Sequence, residues 1–282
     1  MTLVRRHLVA AVSLVLALAT GIALGAGPLS KETLVPVQAE PRRTAPPVEE
    51  SADDLAEAVT PTVARDRLEG RAVTVISTPG ASPDDVSALV SGVEDAGGNV
   101  LAEWQVGESL VGPGETALVD TLGEQLLEQL GDELADPEAP PYERMGQLLG
   151  AAVATRGEES KVVERDALTI RQSLDAASLL STEVEEPRTA PLVLLVLGDD
   201  VEDAVAEGLT TGLADRSRRV VVTARDRAGD LAALDEAGLV STVDGVDGAT
   251  GRLAAVLALA AADEDPPGSY GASGSDAVLP LR

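Results

Sequence analysis

The chain has no cysteine and no phenylalanine, one histidine, two methionines and only three aromatic residues, one Trp and two Tyr. A disulfide framework and a thiolate metal site are excluded by the missing cysteine. Stacking platforms for single-stranded nucleic acid need several aromatic rings, and a membrane barrel needs an aromatic girdle at each interface, so both are excluded as well. Bases are scarce too, with 21 Lys and Arg against 48 Asp and Glu in 282 residues. From Lys31 onward 48 acids face 19 bases, a net charge of −29. Such a surface repels phosphate backbones, and no nucleic-acid partner is expected.

The clearest feature present is an uncharged stretch over residues 8–27 that follows Arg5 and Arg6. A helix rising 1.5 Å per residue needs about 20 apolar residues to cross a bilayer. With the bases on its N-terminal side, the positive-inside bias leaves 1–7 in the cytoplasm, places a signal anchor at 8–28 and exports the rest. A cleavable signal peptide is the rival reading, supported by the small residues Gly25, Ala26 and Gly27, but its apolar region is usually about 7–15 residues long. Within the span, Ala17, Gly21 and Gly25 recur every four residues on one helical face, a spacing that lets a second helix approach closely and predicts a homodimer. The abundance of Ala and Gly can produce the same spacing by composition.

Five prolines (Pro36, Pro41, Pro46, Pro47 and Pro61) and many charges make 29–66 an acidic linker of extended chain. It has no room for a long coiled coil, and at most a short helix at 51–59 capped by Ser51. Residues 67–265 then alternate short apolar runs with amphipathic stretches, the pattern of a doubly wound, mostly parallel α/β sheet with a helical insert. Strands are expected at 72–77, 100–106, 192–197, 220–223 and 239–243, with an edge strand at 179–184. Helices are expected at 84–96 with Asp84 as its cap, then at 116–134, 142–154 and 163–177, which form the insert, and at 201–213, 230–237 and 249–262. The Gly- and Ser-rich tail 266–282 reads as irregular.

Ligands of parallel sheets sit beyond the carboxyl ends of the strands. Those turns carry Ser77-Thr78-Pro79-Gly80, Gly198-Asp199-Asp200, Asp226 and Asp244-Gly245-Val246-Asp247. None is a dinucleotide turn, a phosphate loop or a nucleophile elbow, so no catalytic residue, no cofactor and no enzymatic activity are expected. Asp199, Asp200, Asp244 and Asp247 are the candidates for a hard-cation site, with Asp226 nearby. The plainer alternative makes Asp200 and Asp247 the caps of the following helices. His7 lies in the basic flank, so the exported part has no histidine, and Met145 is its only methionine. That leaves no histidine triad and almost nothing for soft monovalent copper.

Two stretches resemble a known family. They are Arg6-His7-Leu8-Val9-Ala10-Ala11-Val12-Ser13-Leu14 leading to Gly21-Ile22-Ala23-Leu24-Gly25, and Val240-Ser241-Thr242-Val243-Asp244 leading through Gly251-Arg252 into Ala254. Gly268-Ser269-Tyr270-Gly271 and Leu279-Pro280 fit as well, and the likeness is to the actinobacterial copper-transport protein B (MctB) family. The resemblance implies an envelope protein with a role in copper efflux, under a label that suggests the outer membrane. It also implies a second role, since some relatives are linked to control of cell-wall hydrolysis during division, with cell-wall or division proteins as partners. Two departures stand out: the prolines remove the coiled coil that relatives carry after the anchor, and Ser269 replaces a histidine. Trp104, Tyr142 and Tyr270 cannot form two girdles, which argues against a barrel channel. The uncharged span 8–27 offers copper neither ligands nor a polar pore, so copper handling is expected to be indirect, with a non-catalytic extracytoplasmic scaffold as the alternative. Replacing Gly21 and Gly25 by Leu should weaken association of the isolated span in a membrane reporter assay; unchanged association would make the spacing compositional.

Overall fold

The computed structural model describes residues 48–157, 162–225, 230–263 and 265–281. The expected anchor with Ala17, Gly21 and Gly25 lies outside the described residues, as does Asp226; among the described residues no helix is long and apolar enough to cross a membrane. The elements in chain order are α1 (Val48–Val63), β1 (Ala72–Ser77), α2 (Pro83–Asp95), β2 (Asn99–Val106), α3 (Glu108–Val111), α4 (Thr116–Leu130), α5 (Pro141–Val153) and α6 (Glu164–Ala176). They continue with β3 (Leu180–Ser181), β4 (Leu192–Val196), α7 (Asp203–Arg216), β5 (Arg219–Thr223), α8 (Asp230–Ala237), β6 (Ser241–Val243), α9 (Ala249–Ala260) and β7 (Ser269–Tyr270).

The seven strands form one sheet in the order β3-β2-β1-β4-β5-β6-β7, parallel except for the β2 and β3 pair. Every residue of β4 is buried, as its unbroken apolar run requires of a strand covered on both faces. Side chains alternate between two cores. Ile76, Trp104, Val193, Leu195 and Val222 meet α3 to α8 on one face, while Val73, Val75, Leu192, Leu194 and Val221 meet α1, α2 and α9 on the other. The chain leaves β1 and β4 in opposite directions, over opposite faces, so both halves have the same hand. By contrast, β6 to β7 steps outward beneath α9, on the face opposite the one used from β4 to β6, and so has the reverse hand, an uncommon connection.

The helical insert is held by α5. At the contact of α5 with α7, Gly146 faces Leu209, Gly150 faces Leu213 and Arg216, Gly208 faces Tyr142 and Gly212 faces Glu143 and Gly146, two four-residue spacings that bring the helices together. A Cβ on Gly146 would lie 2.4 Å from Leu209 O, and one on Gly212 would lie 2.2 Å from Glu143 O. Buried Gln147 ties the same helices to the preceding loop: its Oε1 accepts from the Asp136 N–H (2.7 Å) and its Nε2 donates to Asp215 Oδ2 (2.9 Å). The buried Arg144 guanidinium donates to Pro137 O (2.7 Å) and pairs with Asp120.

Several sequence expectations need correction. The helix expected only at 51–59 is α1 and runs through Pro61, so Ser51 lies inside it and is no cap. Packing of Val59 and Val63 on the α9 side of the sheet outweighs a proline cost of about 3 kcal/mol. The helix at 116–134 stops at Leu130, because Gly131 turns the chain. Asp84 sits in the first turn of α2 behind the N-cap residue Ser82 and does not cap it. The tail is not wholly irregular, since Ser269–Tyr270 adds β7 to the sheet. Gly212→Ala should lower stability by about 1–3 kcal/mol, read as a reduced urea midpoint with an unchanged slope, because backbone stands where the methyl must go.

Candidate functional site

In an open parallel sheet the ligand crevice lies where the strand order reverses, here between the carboxyl ends of β1 and β4. That crevice is filled by its own backbone. The Gly198 N–H donates to Thr78 Oγ1 (2.8 Å), the Thr78 N–H donates to Val196 O (3.0 Å), and the Ala81 N–H donates to Thr78 O (3.1 Å). A Cβ at Gly198 would lie 2.1 Å from Pro79 O and 2.2 Å from Ala81 N, so only glycine allows the two loops to meet. Beside this contact, between α2 and β2, Ser77, Ser87, Glu103 and Gln105 line an opening of about 410 Å³ together with the Thr78 to Ala81 turn.

The strand-end carboxylates divide into separate roles. Arg225, just after β5, donates from Nε to Oδ2 of the buried Asp85 on α2 (2.6 Å). That hydrogen bond, and then the Asp85 charge, holds the guanidinium pKa above its usual value, with Asp247 and Asp199 adding to the effect. Asp199 and Asp247 therefore share the field of one cation. Asp244 is buried, and its two carboxylate oxygens accept the Ser273 N–H at 3.0 and 3.2 Å, which fixes the loop after β7. Asp200 lies against the β1 to α2 turn, with Oδ2 3.0 Å from the position a Gly80 Cβ would take. Among the described residues no group of three His, Cys, Asp or Glu side chains is placed to hold a metal ion.

Neither Asp200 nor Asp247 caps a helix. The N-cap positions of α7 and α9 are Glu202 and Gly248, and neither makes a side-chain capping bond. Each Asp lies outside the helix, before the position from which a side chain reaches the first free amides. The start of α9 is served from a distant element: Asp53 Oδ1 on α1 accepts from the Thr250 N–H (3.0 Å) and from the Thr250 hydroxyl (2.8 Å). Sequence reading passed over Asp53, Asp85 and Arg225. The one available signal was an arginine directly after a buried strand in a rim otherwise rich in acid.

Asp244→Ala should strand the Ser273 amide at a cost of about 1–3 kcal/mol and speed hydrogen exchange across 271–275. Asp199→Asn, at an exposed position, should change stability by no more than about 0.5 kcal/mol. Thermal melts of the two variants separate these outcomes.

Residues 1–280 match the family described as "Copper transport outer membrane protein, MctB". Similar proteins include the "Copper transporter MctB" of Mycobacterium bovis and of Mycobacterium tuberculosis. Each is 25% identical over 287 residues, covering 90% of this chain and 91% of the relative. Among solved structures, the ligand-free aspartate transcarbamoylase of Trypanosoma cruzi is 13% identical over 76% of this chain and 89% of that one. Its TM-score of 0.17 carries no argument about fold or activity. The resemblance first read from residues 6–25 and the β6 to α9 stretch thus extends over nearly the whole sequence, and the chain belongs to the MctB family.

Proposed function

We propose that this is a membrane-anchored cell-envelope protein that takes part in copper homeostasis indirectly, its α/β domain serving as a non-catalytic binding module outside the membrane. Copper and an envelope location come from the family description and from the names of the mycobacterial relatives. The indirect mode rests on one observation about donors. Beyond residue 30 the chain has no Cys and no His, and its one thioether, Met145, is 0% exposed in the core of α5. Monovalent copper favours thiolate and thioether ligands, and a buried thioether is not available to it.

A second reading, a scaffold that regulates cell-wall hydrolysis and division through protein partners, uses the same domain. It is favoured by exposed Leu168 and Val184, apolar side chains at the β3 edge suited to a partner surface, while the β1 and β4 strand ends are filled by backbone. Association through the anchor, as a homodimer, would serve either reading.

Titration of the full-length protein with chelator-buffered monovalent copper should give no submicromolar binding, and reconstitution in planar bilayers should give no discrete conductance steps. Met145→Leu should complement copper sensitivity of a strain lacking the protein as well as the natural chain does. Submicromolar binding lost in Met145→Leu, or conductance steps, would make copper handling direct.

A further inference from the structure

We propose that the groove beside β3, at the edge of the sheet, is a docking site for an extended, basic peptide segment of another protein. β3 is the terminal strand, and two residues of it pair with β2; Leu180 is buried under α6 and Ser181 is exposed at the edge. Against it, α6 and the loop that follows β3 enclose a groove of about 740 Å³. Trp104 forms part of its lining and is 4% exposed, yet its indole Nε1 has no hydrogen-bond partner among the described residues. The N–H itself is fully buried, so the ring forms part of the groove floor and is not a hydrogen-bonding contact at its surface. Leu168 and Val184 flank it at 48% and 38% exposure, an apolar pair for an alternate side chain of an extended strand.

Charge chooses the occupant. The lining carries four carboxylates, Glu164, Asp175, Glu185 and Glu186, against two guanidiniums, Arg171 and Arg188. Arg171 is already engaged, by Glu164 (2.5 Å) and by the Pro187 carbonyl (2.5 Å). Lysine or arginine side chains flanking an apolar residue complement what remains, whereas an acidic peptide would be repelled. An extended segment projects alternate side chains, so an apolar residue reaches Leu168 and Val184 while its basic neighbours face the acidic rim. This inference rests on the scaffold reading, for which it names a partner class, and is independent of any copper binding; loss of the peptide response leaves the copper titration unaffected.

Trp104 is the only tryptophan and lies in the groove lining, so its emission is a probe of this part of the domain. The full-length protein is titrated with the synthetic peptide acetyl-(Lys-Val)3-amide and, separately, with acetyl-(Glu-Val)3-amide. The Lys-Val peptide should shift the emission saturably and bind less tightly as salt is raised, and the Glu-Val peptide should leave it unchanged. The double variant Glu185→Lys, Glu186→Lys should weaken the response by about tenfold or more. Leu168→Asp should also weaken it, although it adds negative charge that would strengthen any nonspecific attraction. Exposed positions were chosen so that unchanged thermal midpoints verify folding. No saturable shift, equal shifts with both peptides, full response in either variant, or an emission change with protein concentration alone, meaning a second copy fills the groove, would overturn the proposal.

Discussion

The close approach of α5 to α7 is the constraint on which the rest of the domain depends. The insert between β2 and β4 must be held against a sheet whose central strand tolerates no exposure on either face. Four glycines achieve this by letting two backbones touch, with Gly146 against Leu209 and Gly212 against Glu143. Close contact lets dispersion act over many atom pairs, and α5 is buried continuously from Arg144 to Val153. Its end is fixed to the sheet, since Thr74 Oγ1 donates to Val153 O (3.0 Å) and the Thr155 N–H donates to Ala190 O (3.0 Å). With α5 in place, α4 and α6 pack on it, and the Leu179 N–H donates to Leu174 O (2.8 Å), which positions the start of β3.

This arrangement separates the sheet's two potential working surfaces. At the strand ends, Gly198 and the Thr78 to Ala81 turn bring backbone to backbone, and the nearby carboxylates face Arg225 or serve the Ser273 amide. At the far edge, α6 and the loop after β3 leave a groove with apolar walls, an acidic rim and a buried indole N–H. The insert thus creates a surface that a minimal doubly wound sheet would lack, and it is the natural place to seek a protein partner.

Local pattern made much of the sheet legible. The unbroken apolar run of β4, the breakers Pro79 and Gly80 after β1, and Val86, Leu89, Val90 and Val93 on one face of α2 each point to a single element, and the structure has them there. What stayed hidden depends on partners far along the chain. Gly146-Gln147-Leu148-Leu149-Gly150 and Gly208-Leu209-Thr210-Thr211-Gly212 repeat the spacing read at Gly21 and Gly25, but in an Ala- and Gly-rich sequence nothing marks which glycines meet. Asp53 caps a helix 197 positions away, and Asp85 meets an arginine 140 positions away, so neither role has a local signature. Asp200 and Asp247 were assigned as caps by residue type alone, while the cap position itself depends on where the backbone enters the helix.

The central claim is that the strand-end crevice between β1 and β4 is closed by backbone. Hydrogen exchange of individual amides in the full-length protein tests it most directly. The Gly198 and Thr78 amides, donated to Thr78 Oγ1 and Val196 O, should exchange as slowly as the interior of β4, opening only with the domain as a whole. If Gly198 exchanges as fast as an exposed turn while β4 stays protected, the crevice opens on its own and the account is contradicted.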